Sequence, residues 1–219
     1  LVEPLTSRIS QYTVSSTVIR DKSQYRFFYT VDGAAADDAR GFIGTLTAEG
    51  FQWSEIHGMP VAAVTSNFDA VGEEVYFHGD HEGYVYLHDE GSDFNGGNIL
   101  SSYETPFLDF GDLGTLKTIK TVEISITPEG EVSPTLRIRY DYGTGATAQP
   151  DDYELDTIPS PATFGVSLFG TGVFGASVNP LIRKTVEGSG HTSNYRIKSD
   201  NTKAPYTING IYINYDPSG

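Results

Sequence analysis

The sequence predicts an all-β fold, and three observations carry that reading. Between Glu73 and Gly97, Val75, Phe77, Val85 and Leu87 alternate with Tyr76, His78, Tyr84, Tyr86 and His88, the period of two that paired, half-buried strands require. Aromatic residues make up 12% of the chain and glycines number 24, the composition of many short strands joined by turns. Helix-favouring periodic runs are scarce throughout.

Taken in order, the first 30 residues carry Val14, Val18 and Ile19, then Tyr25-Arg26-Phe27-Phe28-Tyr29. Gly41 to Thr47 and Phe51 to Trp53 flank a break at Glu49-Gly50, and Val61 to Thr65 leads into the Glu73–Gly97 hairpin. Its connection, Gly79-Asp80-His81-Glu82-Gly83, has glycines that can take the positive φ of a tight turn. Tyr25–Phe28 and Val75–Phe77 occupy similar places about 50 residues apart, a spacing that suits four-stranded blades. A hairpin that runs out into an acidic, glycine-bearing loop is how one β-propeller blade hands over to the next. Residues 1–98 are therefore expected to form β-propeller blades, completing a wheel begun elsewhere.

After Gly97 the texture changes. Strands are expected at Ser102–Phe110, Leu116–Thr127, Pro134–Tyr142, Phe164–Phe169, Pro180–Glu187, Asn194–Ile197 and Pro205–Tyr215. The stretch from Asp141 to Pro161, rich in Gly, Thr, Asp and Pro, reads as a long surface loop. Antiparallel strands without helices describe a β-sandwich-like domain over residues 99–219.

Composition excludes several classes of chemistry. Without cysteine there is no disulfide framework, thiolate metal site or cysteine nucleophile. That fits a reducing compartment such as a cytoplasm. No apolar run approaches the roughly 18 residues that span a bilayer, so stable membrane insertion is not expected. The chain begins with Leu1 and shows no signal peptide, so it reads as a piece of a longer protein. The formal charge is −15, with 29 acids against 14 Lys and Arg, which argues against ordinary binding to a phosphate backbone.

Several constellations invite a chemical reading. Asp80, Glu82, Asp89, Glu90 and Asp93 could offer hard oxygens to calcium, but they lack the register of an EF-hand loop, and acids are favoured in turns for backbone reasons. Three of the five histidines, His78, His81 and His88, fall close together. Strand alternation places His78 with Tyr76, and His88 with Tyr86, as an aromatic-imidazole surface on a sheet rather than a metal site. Gly165 to Gly172 lacks the Gly-Lys-Ser/Thr end of a phosphate loop, and no Gly-x-Ser-x-Gly elbow occurs. Neither a catalytic residue nor a cofactor or metal ligand is assigned. The basic residues Arg8, Arg20, Lys22, Arg26, Arg137 and Arg139 are candidate subunit contacts on a polyanionic chain.

One ordered series of motifs points to a family. Asp21-Lys22-Ser23-Gln24-Tyr25-Arg26-Phe27-Phe28-Tyr29 is followed by Gly83-Tyr84-Val85-Tyr86-Leu87-His88-Asp89-Glu90-Gly91-Ser92-Asp93-Phe94-Asn95-Gly96-Gly97 and Thr105-Pro106-Phe107-Leu108-Asp109-Phe110-Gly111. Phe164 to Gly170, Val186 to Gly190 and Ala204 to Ile208 continue it. This series resembles the C-terminal part of tail nozzle, or tail hub, proteins of short-tailed bacteriophages. The resemblance implies a virion structural protein, a homo-oligomer and usually a hexamer. It would form the tube through which genomic DNA leaves, in contact with adaptor and fibre proteins. Asp80, Glu82, Asp89, Glu90, Asp93, Asp151, Asp152 and Glu154 are then candidate channel-facing acids, since an acidic lumen lets DNA slide without holding it. Two other classes stand beside this one. One is a carbohydrate- or receptor-binding β module that uses surface tyrosines and Trp53. The other is a propeller glycosidase, which would need two acids converging across a cleft.

Overall fold

The computed structural model describes residues 12–31, 39–155 and 181–218, and it is all-β. The chain divides into two compact units, Leu1–Glu90 and Gly91–Gly219. The segment 91–98, which the sequence reading joined to the blades, hydrogen-bonds within the second unit: Ser92 Oγ donates to the Thr202 carbonyl and Asn98 Nδ2 to that of Asp200.

The first unit holds two antiparallel sheets. One is a four-stranded meander of β1 (Tyr12–Ile19), β2 (Gln24–Val31), β3 (Arg40–Thr47) and β4 (Gly50–His57), paired in that order. The other joins β5 (Ala63–Phe68), β6 (Glu74–Gly79) and β7 (Val85–Leu87). Turn chemistry sets each register. Asp69 Oδ1 accepts the amides of Val71 and Glu73 between β5 and β6, and Asp80 Oδ1 accepts those of Glu82 and Tyr84 between β6 and β7. The sheets meet along their first strands. Ser15 Oγ accepts the Val64 amide at 2.9 Å, and Ser66 Oγ donates to the Val18 carbonyl at 2.8 Å. β1 and β5 thus run side by side in the same direction, as the innermost strands of adjacent propeller blades do.

The second unit is a sandwich. One sheet has the order β11 (Tyr153–Glu154), β10 (Thr135–Tyr140), β14 (Ser193–Asn201), β8 (Ile99–Glu104). In the other, β9 (Leu116–Pro128) pairs β12 (Leu181–Thr185) and β13 (Ser189–Gly190) on one side and β15 (Tyr206–Ser218) on the other. Ile124 and Ile126 from the second sheet share one core with Leu136, Ile138, Tyr195 and Ile197 from the first. All six are essentially inaccessible to solvent, and burial of one such side chain contributes about 2 kcal/mol.

Several expected boundaries move, each for a physical reason. The strand anticipated over Ser102–Phe110 ends at Glu104, because Pro106 brings no amide to a ladder. The chain then turns through Phe110 and Gly111, at φ 55° and 84°. The strand anticipated through Tyr142 ends at Tyr140, since Asp141 and Tyr142 both take positive φ in a short 3-10 turn. The expected loop after Asp141 includes β11, and Gln149 clamps Tyr140 from both sides, accepting from its amide and donating to its carbonyl. The strand expected at Phe164–Phe169 lies outside the described residues.

Tyr140 fixes the closed end of the sandwich. Its ring is fully buried and its hydroxyl donates to the Glu187 carbonyl at 3.0 Å. Gly188 lies against that ring at φ 112°, and a Cβ there would fall inside the van der Waals shell of Tyr140 Cε2. Gly188→Ala is therefore expected to destabilise the second unit by about 2 kcal/mol, from left-handed strain plus overpacking. Hydrogen exchange at the β9 and β10 amides would register the loss, with β2 and β6 unchanged.

Candidate functional site

The most highly organised polar cluster among the described residues lies inside the first unit, where the β5–β7 sheet covers one face of the β1–β4 sheet. Alternation on β2 sends Gln24, Arg26 and Phe28 to that face, and alternation on β6 sends Glu74, Tyr76 and His78 to meet them. The sequence reading placed Tyr76 and His78 on one face correctly but took it for a surface. It is buried: Tyr76, His78 and His88 are each less than a tenth exposed, and so is Arg26.

Arg26 is the hub. Its guanidinium makes a two-pronged pair with Asp89, Nη1 to Oδ1 at 3.0 Å and Nη2 to Oδ2 at 2.6 Å. Its Nε and Nη2 both donate to Gln24 Oε1, and its charge sits 5.1 Å from the centre of the Tyr76 ring. Asp89 accepts two further hydrogen bonds, from Lys22 Nζ at 2.5 Å and from the Tyr76 hydroxyl at 2.9 Å. Burial pulls the Asp89 carboxyl up, but the hydrogen bonds from Arg26 and Lys22 outweigh it and hold the group well below the usual carboxylate range.

The histidine tautomers follow from this geometry. Arg26 Nη1 lies 3.2 Å from His88 Nδ1, and a guanidinium can only donate, so that nitrogen carries no proton. Neutral His88 is then protonated on Nε2, which donates to His78 Nδ1 at 2.8 Å. His78 in turn carries its own proton on Nε2. Burial first, then the neighbouring His78 and Arg26, pushes the His88 imidazole down to about 4, while Asp89 pulls weakly the other way. Burial also lowers His78, against the pull of Asp80. Both nitrogens of His88 are committed, and among the described residues no three His, Asp or Glu side chains are grouped to hold a metal.

Glu74 closes the other end of the interface. Its side chain is fully enclosed, and it accepts the Asp21 and Arg20 amides at 2.9 and 2.6 Å and Arg20 Nη1 at 3.1 Å. Those hydrogen bonds, the Asp21 amide foremost, lower its carboxyl. Sequence reasoning singled out neither Glu74 nor Tyr76 as a site residue. The available signal was an acid placed in phase with the inward face of a strand.

The remaining candidates divide by what already engages them. Arg20, Lys22 and Arg26 pair with Glu74 and Asp89 inside the first unit. In the second unit Arg137 pairs with Asp152 at 3.2 Å, and Arg139 with Glu104. Asp80 accepts the turn amides already named and the Tyr86 hydroxyl, and Asp93 Oδ1 accepts the Gly96 amide. Glu82, Glu90, Asp151 and Glu154 present exposed side chains on loops or at a strand end. Arg8 lies outside the described residues.

No family model and no curated protein sequence matches the chain. Among solved structures, a glycoside hydrolase family 43 arabinoxylan arabinofuranohydrolase from Bacillus subtilis, in complex with cellotetraose, aligns at 11% identity and a TM-score of 0.26. The alignment covers 91% of this chain and 53% of that one, so the chain spans about half the length of that enzyme. A TM-score of that size carries no argument about activity.

Proposed function

We propose that this chain is a structural component of the virion of a short-tailed bacteriophage, part of the tail nozzle through which DNA is ejected. The ordered series of motifs from Lys22 to Ile208 motivates the reading, and the distribution of charge is the structural observation that carries it. Arg20, Lys22, Arg26, Arg137 and Arg139 are engaged by carboxylates of the same chain, while Glu82, Glu90, Asp151 and Glu154 remain exposed. A surface of that kind repels phosphate, which suits a conduit that DNA must pass without sticking. In this reading the protein is made in the host cytoplasm, assembles as a homo-oligomer and contacts other tail proteins, with no cofactor and no catalytic residue.

Cryo-electron microscopy of the assembled oligomer tests it. The expected result is a ring, hexameric by the family resemblance, with those four acids on the lumen; a ring that carries them on its outer wall sinks the conduit reading. A second reading, a carbohydrate- or receptor-binding module, is favoured by Phe51 and Trp53. These are more than half exposed and stack on each other at 5.6 Å and 26° on β4. A glycan array would decide it, with binding lost in Trp53→Ala.

A further inference from the structure

The two sheets of the first unit repeat one another at a spacing of 50 residues, and the repeat says what the outer face of the β1–β4 sheet accommodates. Val14, Ser16 and Val18 on β1 correspond to Val64, Ser66 and Phe68 on β5. Through the strand registers, Phe27 corresponds to Tyr76 and Phe28 to Phe77. In the β5–β7 sheet the face that carries Val64, Ser66 and Tyr76 is the one packed on β1–β4. The equivalent face of the β1–β4 sheet carries Val14, Ser16 and Phe27, and it continues into Trp53 on β4. There Val14, Val18 and Trp53 are 48%, 51% and 58% exposed. These exposed apolar side chains, at opposite edges of one sheet face, stand in the positions that pack blade on blade within the chain.

The complementary surface is the back of the β5–β7 sheet, and it carries the residues the repeat requires. Ser15, which accepts the Val64 amide within the chain, corresponds to Thr65, whose side chain is exposed on that back face. Phe28, which packs under the covering sheet, corresponds to Phe77, and Val85 and Leu87 beside it are 74% and 44% exposed. Arg26 corresponds to Val75, so a contact made this way would be apolar where the internal one is ionic.

We propose that a second copy of this chain docks front to back on the first unit: the Val14–Val18–Trp53 face of one copy packs on the Thr65–Val85–Leu87 face of the next. Thr65 Oγ1 accepts the Val14 amide of the neighbour, and the neighbour's Ser16 hydroxyl donates to the Phe68 carbonyl, as their counterparts do within the chain. The contact is heterologous, so each added copy offers a fresh face and the assembly closes as a ring or extends. This inference stands on the internal repeat and does not rest on the nozzle reading.

Two exposed substitutions and their mixture test it by light scattering. Wild type is expected as a multiple of the chain mass. Val18→Asp spoils every front face and Val85→Asp every back face, so each alone falls to the mass of one chain. Mixing the two variants leaves one intact front and one intact back per pair, and the expected product is a one-to-one heterodimer that grows no further. Circular dichroism of each variant checks that the fold is retained. A monomeric wild type overturns the proposal, and so does an oligomer indifferent to both substitutions. The latter outcome leaves the nozzle reading standing, since it removes this contact and not the ring.

Discussion

Arg26→Met is expected to destabilise the first unit by about 2 to 3 kcal/mol, below the full scale of a buried ion pair because Arg26 is enclosed while the Asp89 side chain is 32% exposed. Methionine preserves most of the volume of the stem, so the loss is electrostatic. Asp89 keeps Lys22 and the Tyr76 hydroxyl but loses both prongs of the guanidinium, and His88 Nδ1 and Gln24 Oε1 lose their donor. The single tryptophan, Trp53, belongs to this unit, so urea unfolding followed by its fluorescence, alongside exchange at the β2 and β6 amides, reads the unit of interest. The double variant Arg26→Met with Asp89→Leu is expected to recover much of the loss, because an apolar pair of similar size needs no compensation for desolvated charge. A coupling energy of about 2 kcal/mol in the full cycle would locate the effect in the pair itself. If Arg26→Met costs under about 1 kcal/mol, on the scale of a surface pair, the cluster is not what fastens the two sheets together.

The Arg26–Asp89–His88 cluster escaped the sequence for a reason that its residues make plain. Alternation correctly put Tyr76 with His78 and predicted strands on both sides of the Gly79–Gly83 turn, because period and turn chemistry are local. What covers a face is not local. Arg26 reads as one more surface cation until the β5–β7 sheet, some 50 residues on, is laid over it with Asp89 at its rim. The same limit explains β9, whose clean alternation from Thr121 to Thr127 is interrupted upstream. Between Asn214 and Tyr215 the pairing with β15 slips at Lys120, which lets Ile119 and Val122 face the same core from positions of opposite parity. Backbone punctuation, by contrast, was legible in principle: Pro106 after Glu104 ends β8. The four-stranded meander and the sandwich were foreseen as classes because both rest on repeated short strands, which composition and period report directly.

Acidification from pH 7 to pH 4 is expected to weaken the first unit by about 3 kcal/mol through His88 alone. The second unit declines less, because its lowered carboxyls, Asp112 and Asp141, give up their contribution mainly below this window. The direction follows from the proton balance. His88 titrates near 6.5 in an unfolded chain and at about 4 when folded, so across that window the unfolded state binds the extra proton. Stability is full above pH 6.5, declines as the pH falls, and stops declining once both states are protonated below 4. His78, lowered in the same direction by burial, adds to the slope. Asp89 adds only at the bottom of this window: its folded carboxyl stays ionised to far lower pH, so its contribution begins to be lost as the unfolded carboxyl, near 3.8, takes up its proton. Burial is the largest cause of the shift, with the Phe28 and Tyr76 rings in T-shaped contact solvating no ion; His78 and Arg26 oppose a further positive charge, and Asp89 offsets them in part. His88→Gln separates titration from structure. Its amide oxygen can accept from Arg26 and its amide nitrogen can donate to His78, yet it does not ionise. The variant is expected to lose most of the decline between pH 7 and 4 and to retain wild-type exchange protection at neutral pH. If its stability falls with pH as steeply as that of the wild type, His88 is not the group that senses the proton. A decline shared equally by the β9 and β14 amides would place the sensor outside the first unit altogether.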